Sequence, residues 1–293
     1  MDIAALKAFT AVADAGSFSI AAEHLFLTQP AISKRIASLE SELDAKLFDR
    51  IGRTITLTEA GRALLPRARN ILVELEDSVR AISNLTGEVH GTLRFATSHH
   101  IGLHRLPPAL KRFTQEHPQV RLDIRFMDSE AACRAVLAGD LELGIVTLPP
   151  DPINELETEI IWSDPLSIVI NKNHPLATHK SIKLEQLTNT PAILPAHGTY
   201  TRELLEQAFA PQGLTLKTGM TTNYLETIKM MVSVGLGWSV LPKTMLSEEI
   251  VTLDIKGIKI SRQLGFVFHP SHTLSNAAKA IIETLRSQVL NKQ

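Results

Sequence analysis

The sequence predicts a multidomain α+β chain: an N-terminal winged helix-turn-helix, one long linking helix, and a larger α/β portion. Three observations carry that prediction. Residues 1–57 hold three short capped helical patterns followed by an alternating extended piece. Residues 58–86 repeat apolar positions at helical spacing without a turn signal. From about residue 89, strand and helix patterns alternate to the end. The breaks divide the chain into 1–58, 59–88 and 89–293. A chain of 293 residues, 44% hydrophobic, has material for two or three cores, since domains usually run about 100–200 residues.

In the first segment, Leu6, Phe9 and Ala13 share one helical face that "DAGSFS" terminates. Ser17 or Ser19 can cap a second, two-turn helix carrying Ala21, Ala22 and Leu25. Thr28 can cap a third, with Pro30 in its first turn and Ile32, Ile36, Leu39 and Leu43 as its apolar stripe. Lys34 projects away from that stripe, with Gln29, Ser33 and Arg35 on its flanks. A short helix, the tight turn "FLT" and a helix with a polar outer face form a helix-turn-helix arrangement; a solvated face of a three-helix bundle is the plainer alternative. "LFDRIGRTITLT" alternates toward a hairpin and presents Arg50 and Arg53, as a wing touching phosphates would.

Thr58 with Glu59 begins a long helix reaching about Thr86. Leu64, Ala68, Ile71, Leu75, Ser78, Ile82 and Leu85 step by heptads, and Leu65, Leu72 and Val79 widen the seam. A partner helix, and so a dimer, is expected along it. Pro66 removes one backbone bond and predicts a bend.

In the remainder, "GTLRFAT" reads as a strand, "LPPALKRFTQEHP" as a helix, "VRLDIRF" as a strand, "SEAACRAVLAGD" as a helix and "LELGIVT" as a buried strand. A second set begins near "DPLSIVI" and runs through "PAILPA", "YTRELLEQAFAPQG", "NYLETIKMMVSVG" and "LGWSVLP". The helix "LSNAAKAIIETL" closes the chain. Such alternation argues for parallel strands covered by helices.

Composition narrows the function. No apolar run approaches the roughly 18 residues of a membrane span, and "MDIAALKAF" lacks a signal peptide's basic region and cleavage site. A cytoplasmic protein without a membrane partner is expected. Cys133 is the sole cysteine, so no intramolecular disulfide can form. The net charge of −1 gives no sign of a polyanion partner, and residues 1–57 carry six Lys and Arg against seven Asp and Glu. Nucleic-acid binding must then depend on where the cations sit. No G-x-S-x-G, P-loop or G-x-G-x-x-G appears, so an enzyme is not expected. An exported solute-binding protein would leave residues 1–86 without a role.

"AFTAVADAGSFSIAAEHLFLTQPAISKRIASLESELDAKLFDR" followed by "LTEAGRALL" resembles the N-terminal domain of LysR-type transcriptional regulators, and the order of segments is similar throughout. The resemblance implies a DNA-binding regulator in which Gln29, Pro30, Ser33 and Lys34 face the bases, Arg35 the backbone, and Arg50 and Arg53 belong to the wing. It also implies a double-stranded operator with an interrupted palindrome, a homodimer or homotetramer, and RNA polymerase as a partner of an activator. No cofactor is implied. Residues 89–293 would resemble a type 2 periplasmic binding protein, with lobe 1 at 89–163 and 268–293 and lobe 2 at 164–267. Its two crossings would fall near Ser163–Leu166 and Leu264–Val267, with a small-molecule effector in the cleft.

"TSHHIGLH" at residues 97–104 lies where the first strand of this portion ends, the edge at which open α/β sheets bind ligands. Ser98 and His100 would face the cleft, and an imidazole there can donate to a carboxylate or another anion. The stretch is also similar to the corresponding loop of regulators of cysteine biosynthesis. Thr147, His197 and Thr199 are the other expected effector contacts, with Asn223 or Glu226 behind them. Thr and Asn at such places are also ordinary caps. His100 and His104 share a helical face at i,i+4, as in H-E-x-x-H zinc sites, but the glutamate is missing. No metal site is expected, and His104 reads as packed or surface-exposed.

Overall fold

A computed structural model describes residues 1–51, 54–179, 182–212 and 216–290. The chain divides into two compact units, Met1–Thr86 with Ala138–Asp140, and Gly87–Leu137 with Leu141–Gln293.

In the first unit α1 (Ile3–Ala15) begins at Asp2, which accepts from the Ala4 N–H, and ends at Gly16 with φ 59°. Ser17, rather than Ser19, caps α2 (Phe18–His24). The turn that follows places Phe26 at φ 54° with its ring 96% exposed. Left-handed backbone at a residue with a β-carbon costs roughly 1–2 kcal/mol, and nothing packed on the ring offsets it. Thr28 caps α3 (Gln29–Glu42) by accepting from Ala31, with Pro30 in the first turn. Ile32, Ile36 and Leu39 of α3 are buried with Leu6, Phe9 and Phe18.

Leu43 departs from the expected stripe. It is the C-cap of α3 and 40% exposed, because Asp44 at φ 48° turns the chain away one residue later. Glu40 takes an inner place instead. Its carboxylate accepts from the Leu47 N–H at 2.9 Å and from Lys46 Nζ at 2.7 Å, tying α3 to the entry of the hairpin. That hairpin is β1 (Phe48–Ile51) against antiparallel β2 (Thr54–Leu57).

Thr58 then caps α4 (Glu59–Asn84). The helix continues through Pro66 and stops just short of the expected Thr86. Gly61 lies so close to the hairpin that a β-carbon there would collide with the carbonyl oxygen of Leu47. Along the heptad seam Ala68 is fully buried, whereas Ile71, Ile82 and Leu85 are 41%, 70% and 85% exposed, and Val79 beside them 63%.

The second unit begins with β3 (Gly91–Thr97), which leads through α5 (His99–His104) and α6 (Pro107–Glu116) to β4 (Val120–Phe126), then through α7 (Ser129–Leu137) to β5 (Leu143–Thr147). β3 pairs in parallel with both β4 and β5. The long β6 (Glu157–Asn171) leaves this lobe. The second lobe adds α8 (Leu184–Thr188), β7 (Ala192–Leu194), α9 (Tyr200–Phe209), β8 (Thr218–Thr221), α10 (Leu225–Ser233), β9 (Ser239–Pro242) and β10 (Ile250–Leu253). β11 (Ile260–Phe268) returns antiparallel to β6, and α11 (Asn276–Leu290) closes on the first lobe.

Among the described residues the strands form one sheet in the order β10-β6-β11-β5-β3-β4, with β9 also on β6, while β7 pairs β8. Phe95, Phe113, Ile145, Phe266 and Ile281 anchor the core of lobe 1. Leu205, Phe209 and Trp238 anchor that of lobe 2. "LGWSVLP" is thus a packing element. Its Trp238 is 1% exposed, and its indole N–H donates to the Thr190 carbonyl at 3.0 Å.

One boundary moves. Leu264–Val267 pair with Thr147–Gly144 of β5, and Leu264 and Phe266 belong to the lobe 1 core. They therefore lie in lobe 1, not in a lobe 2 reaching residue 267. The second crossing falls earlier, where Ser261–Gln263 face Pro165–Ser163.

Two substitutions in the first unit should move stability in opposite directions. Phe26→Gly relieves the left-handed turn and should raise the opening free energy of α1–α3 by about 0.5–1 kcal/mol in native-state hydrogen exchange. Gly61→Ala should lower it by about 1–3 kcal/mol. A loss on Phe26→Gly would mean that the exposed ring has a packing role.

Candidate functional site

Two faces hold the residues singled out by sequence, one in each unit. On α3, Gln29, Pro30 and Lys34 are exposed, and Ser33 and Arg35 are half-buried. Gln29 Nε2 donates to Ser33 Oγ at 2.9 Å, so the two present one joint polar surface. The first turn of α3 contains no acidic side chain, leaving its N–H groups and Lys34 unopposed toward an anion. Arg50 lies on β1. Arg53 lies outside the described residues.

In the second unit a narrow cleft of about 50 Å³ opens between the lobes. Ser98, His100, Thr147 and Thr199 line it together with Asp128, Glu130 and Arg262. Ser98 occupies the N-cap position of α5, but its hydroxyl makes no capping bond. Thr147, at the end of β5, is 4% exposed and its N–H donates to Ser129 Oγ at 3.1 Å. Thr199 is already engaged: it donates to the Ala196 carbonyl at 2.8 Å and accepts from the Arg202 N–H at 3.4 Å.

His197 does not line this cleft. Its side chain is 72% exposed, and its Nδ1 lies 3.2 Å from Glu206, an outer residue of α9. "PAHGTYTR" turns between those positions, so Thr199 reaches the cleft and His197 faces away. His100 is inside, 4% exposed, and neither ring nitrogen has a hydrogen-bond partner among the described residues. Burial, reinforced by Arg262, lowers its pKa to about 4. At neutral pH it can donate one hydrogen bond, but it brings no positive charge to an anion.

The cation of the cleft is Arg262, which the sequence reading passed over. Arg262 and Asp164 stand opposite each other on the paired strands β11 and β6, at 5% and 1% exposure. Arg262 Nε donates to Asp164 Oδ2 at 2.8 Å, and its Nη1 to Thr201 Oγ1 at 3.2 Å. Its Nη2 is buried without a hydrogen-bond partner among the described residues. Arg105 Nη2 donates to the other Asp164 oxygen at 3.1 Å. Two guanidiniums thus share one carboxylate, a formal excess of one positive charge, since arginine stays protonated.

The lobes are joined across the cleft by side chains. Glu130, on α7, accepts from the Tyr200 N–H at the start of α9, and burial raises its pKa. Asp128 accepts from Asn223 Nδ2 at 2.7 Å, while Asn223 Oδ1 accepts from the Ala196 N–H at 2.9 Å. The His99 and Tyr224 rings meet edge to face at a centroid distance of 4.7 Å. His104 Nε2 lies 2.7 Å from Glu226 Oε1. Burial would raise the Glu226 pKa, but the His104 hydrogen bond reverses that and lowers it. His104 is thus a partly exposed bridging residue, and α10 brings the carboxylate that local sequence lacked. Ligand atoms of His100, His104 and Glu226 all lie within 4.8 Å of one another.

Asp164→Asn should leave two guanidiniums without their carboxylate and destabilise the second unit by about 3–5 kcal/mol. Trp162 and Trp238, both in that unit, report its unfolding by fluorescence in urea. An unchanged midpoint would show that water replaces the pair at no cost.

The LysR substrate binding domain profile matches residues 86–290. The profile of bacterial regulatory helix-turn-helix proteins of the lysR family matches residues 3–62. The RuBisCO operon transcriptional regulator of Allochromatium vinosum is 32% identical over 288 residues, spanning 97% of this chain and 95% of that one. Full-length OxyR from Pseudomonas aeruginosa has a similar fold, with TM-score 0.69 at 22% identity over 98% of each chain. CbnR complexed with its target DNA does too, with TM-score 0.64 at 23% identity over 98% of this chain and 99% of that one.

Proposed function

We propose, for a chain that belongs to the LysR family of DNA-binding transcriptional regulators, that a small anion such as a carboxylate, held between the lobes of its effector-binding domain, sets its activity. The observation that carries this reading is the Arg105–Asp164–Arg262 group, whose positive excess and Arg262 Nη2, unpartnered among the described residues, adjoin a cleft lined by Ser98 and Thr147. His100 can add one neutral donor, and the Thr199 backbone turn forms part of the opposite wall. His197 has no part in it.

On the DNA side, Gln29, Pro30, Ser33 and Lys34 at the start of α3 read base edges in the major groove. Arg35, Arg50 and Arg53 hold phosphates. The exposed apolar side chains of α4 pair two protomers, and the resulting two-fold axis calls for an interrupted palindrome. Pairing of effector domains extends the dimer to a tetramer, and an activator of this build would meet RNA polymerase in the cytoplasm. Regulation is then linkage: the anion shifts the protein only by its differential affinity for two lobe arrangements.

Fluorescence anisotropy on DNA from upstream of the protein's own coding region, against a random duplex, tests the reading across a salt series and an anion panel. Preference for the upstream duplex, altered by one anion, is the expected result. Absence of preference at every salt concentration would contradict it. Lys34→Ala should change the preferred sequence, while Arg53→Ala should weaken binding to all duplexes and reduce the salt slope by about 1. Equal effects of both on specific and random DNA would remove the distinction between reading and positioning.

Ser98→Ala and Thr147→Val should each weaken the anion's effect about tenfold with DNA affinity in its absence unchanged, as loss of one hydrogen bond to a charged group implies. An intact anion response in both variants would place the ligand elsewhere.

A further inference from the structure

The proposed anion asks at most one hydrogen bond of His100 and leaves its neighbours His104 and Glu226 unused. His100 and His104 stand one helical turn apart on α5, with ring centroids 4.9 Å apart. Glu226, in the first turn of α10, reaches them from the other lobe. Two imidazoles and one carboxylate form the donor set of open three-ligand zinc sites, in which the fourth position stays available. Borderline donors of this kind select transition ions over calcium or magnesium, which prefer oxygen alone.

The geometry points to a divalent transition-metal site of the zinc class formed by His100, His104 and Glu226, closed across the two lobes. His100 supplies the independent evidence. It is 4% exposed, yet both ring nitrogens lie buried with no hydrogen-bond partner among the described residues. Burying such a group unsatisfied is costly, and a ligand bond is one way to offset it. Its ligand nitrogen, one of His104 and a carboxylate oxygen of Glu226 all fall within 4.8 Å of one another.

Around a tetrahedral ion with bonds of about 2.0–2.1 Å, ligand atoms stand roughly 3.3 Å apart. The His104–Glu226 contact at 2.7 Å therefore has to open slightly, and His100 has to close on it. His104 and Glu226 are 42% and 40% exposed, so both side chains have room to adjust and an ion has a path from solvent. The Glu226 carboxylate offsets the single positive excess of the Arg105–Asp164–Arg262 group, so the surroundings of the site are formally neutral before an ion binds.

Two ligands come from lobe 1 and one from lobe 2, so the ion would pin the cleft shut. An equilibrium between open and closed lobes would then depend on metal concentration. This inference needs neither the anion nor its contacts at Ser98 and Thr147, and the two sites share His100 alone.

The test uses the purified full-length protein, stripped with a chelator and titrated with zinc against a chromophoric indicator. One ion per chain is expected. His104→Ala and Glu226→Gln, both at partly exposed positions, should weaken it tenfold or more, because removal even of outer groups around a metal typically costs about 10–100-fold. Cobalt should give the visible absorption of a tetrahedral centre, absent in both variants. His269 and His272 stack at 3.9 Å elsewhere on the chain, so the double variant His269→Ala, His272→Ala serves as the control and should bind zinc as the parent does.

No stoichiometric binding to the parent protein would overturn the site. So would equal affinity in the parent and the two ligand variants, or loss of binding only in the control. A metal site that fails while an anion still modulates DNA binding leaves the effector reading intact.

Discussion

The ion pair of Arg262 with Asp164 sits where the two crossing strands meet, and the architecture of the effector-binding domain depends on it. The two residues are register partners on β11 and β6, so the pairing of strands alone brings the charges together. Both are almost fully buried, and either one without the other would be an isolated charge in an apolar setting. The pair therefore fixes the register of the only two strands that join the lobes among the described residues. Because Arg105 shares the carboxylate and Thr201 takes one guanidinium N–H, the same knot reaches α9 of the second lobe.

What could be read from sequence was mostly local. Thr28, Thr58 and Thr199 cap the helices that follow them, and the buried face of α3 follows its apolar period. Leu43 was misread because a stripe does not say where a helix stops; the left-handed Asp44 decides that. The crossing was misplaced because a buried strand looks the same whichever lobe it pairs with. Leu264 and Phe266 show their allegiance only through β5.

Pieces of the cleft were legible for the same reason. Ser98, His100, Thr147 and Thr199 lie at the ends of strands or starts of helices, where topology sends side chains toward the sheet's carboxyl edge. Arg262 was not legible, because nothing in "KISRQLGF" marks a buried arginine until Asp164 appears opposite it, 98 residues away. Glu226 is 122 residues from His104, so a search for a zinc motif along the chain sees two histidines and stops. His197 shows the converse error. It sits in the expected loop, yet the turn directs it outward.

The bond between Glu130 and the first N–H of α9 has a consequence for sensitivity. Free N–H groups at a helix start attract anions, and here the protein has already filled that place with a carboxylate of its own. Any anion drawn to the same spot must evict it, exchanging one carboxylate for another rather than gaining a new contact. Glu130 is in that sense a built-in competitor. For the proposed anionic effector, it would lower the apparent affinity, so the concentration threshold of that response would be written partly into α7.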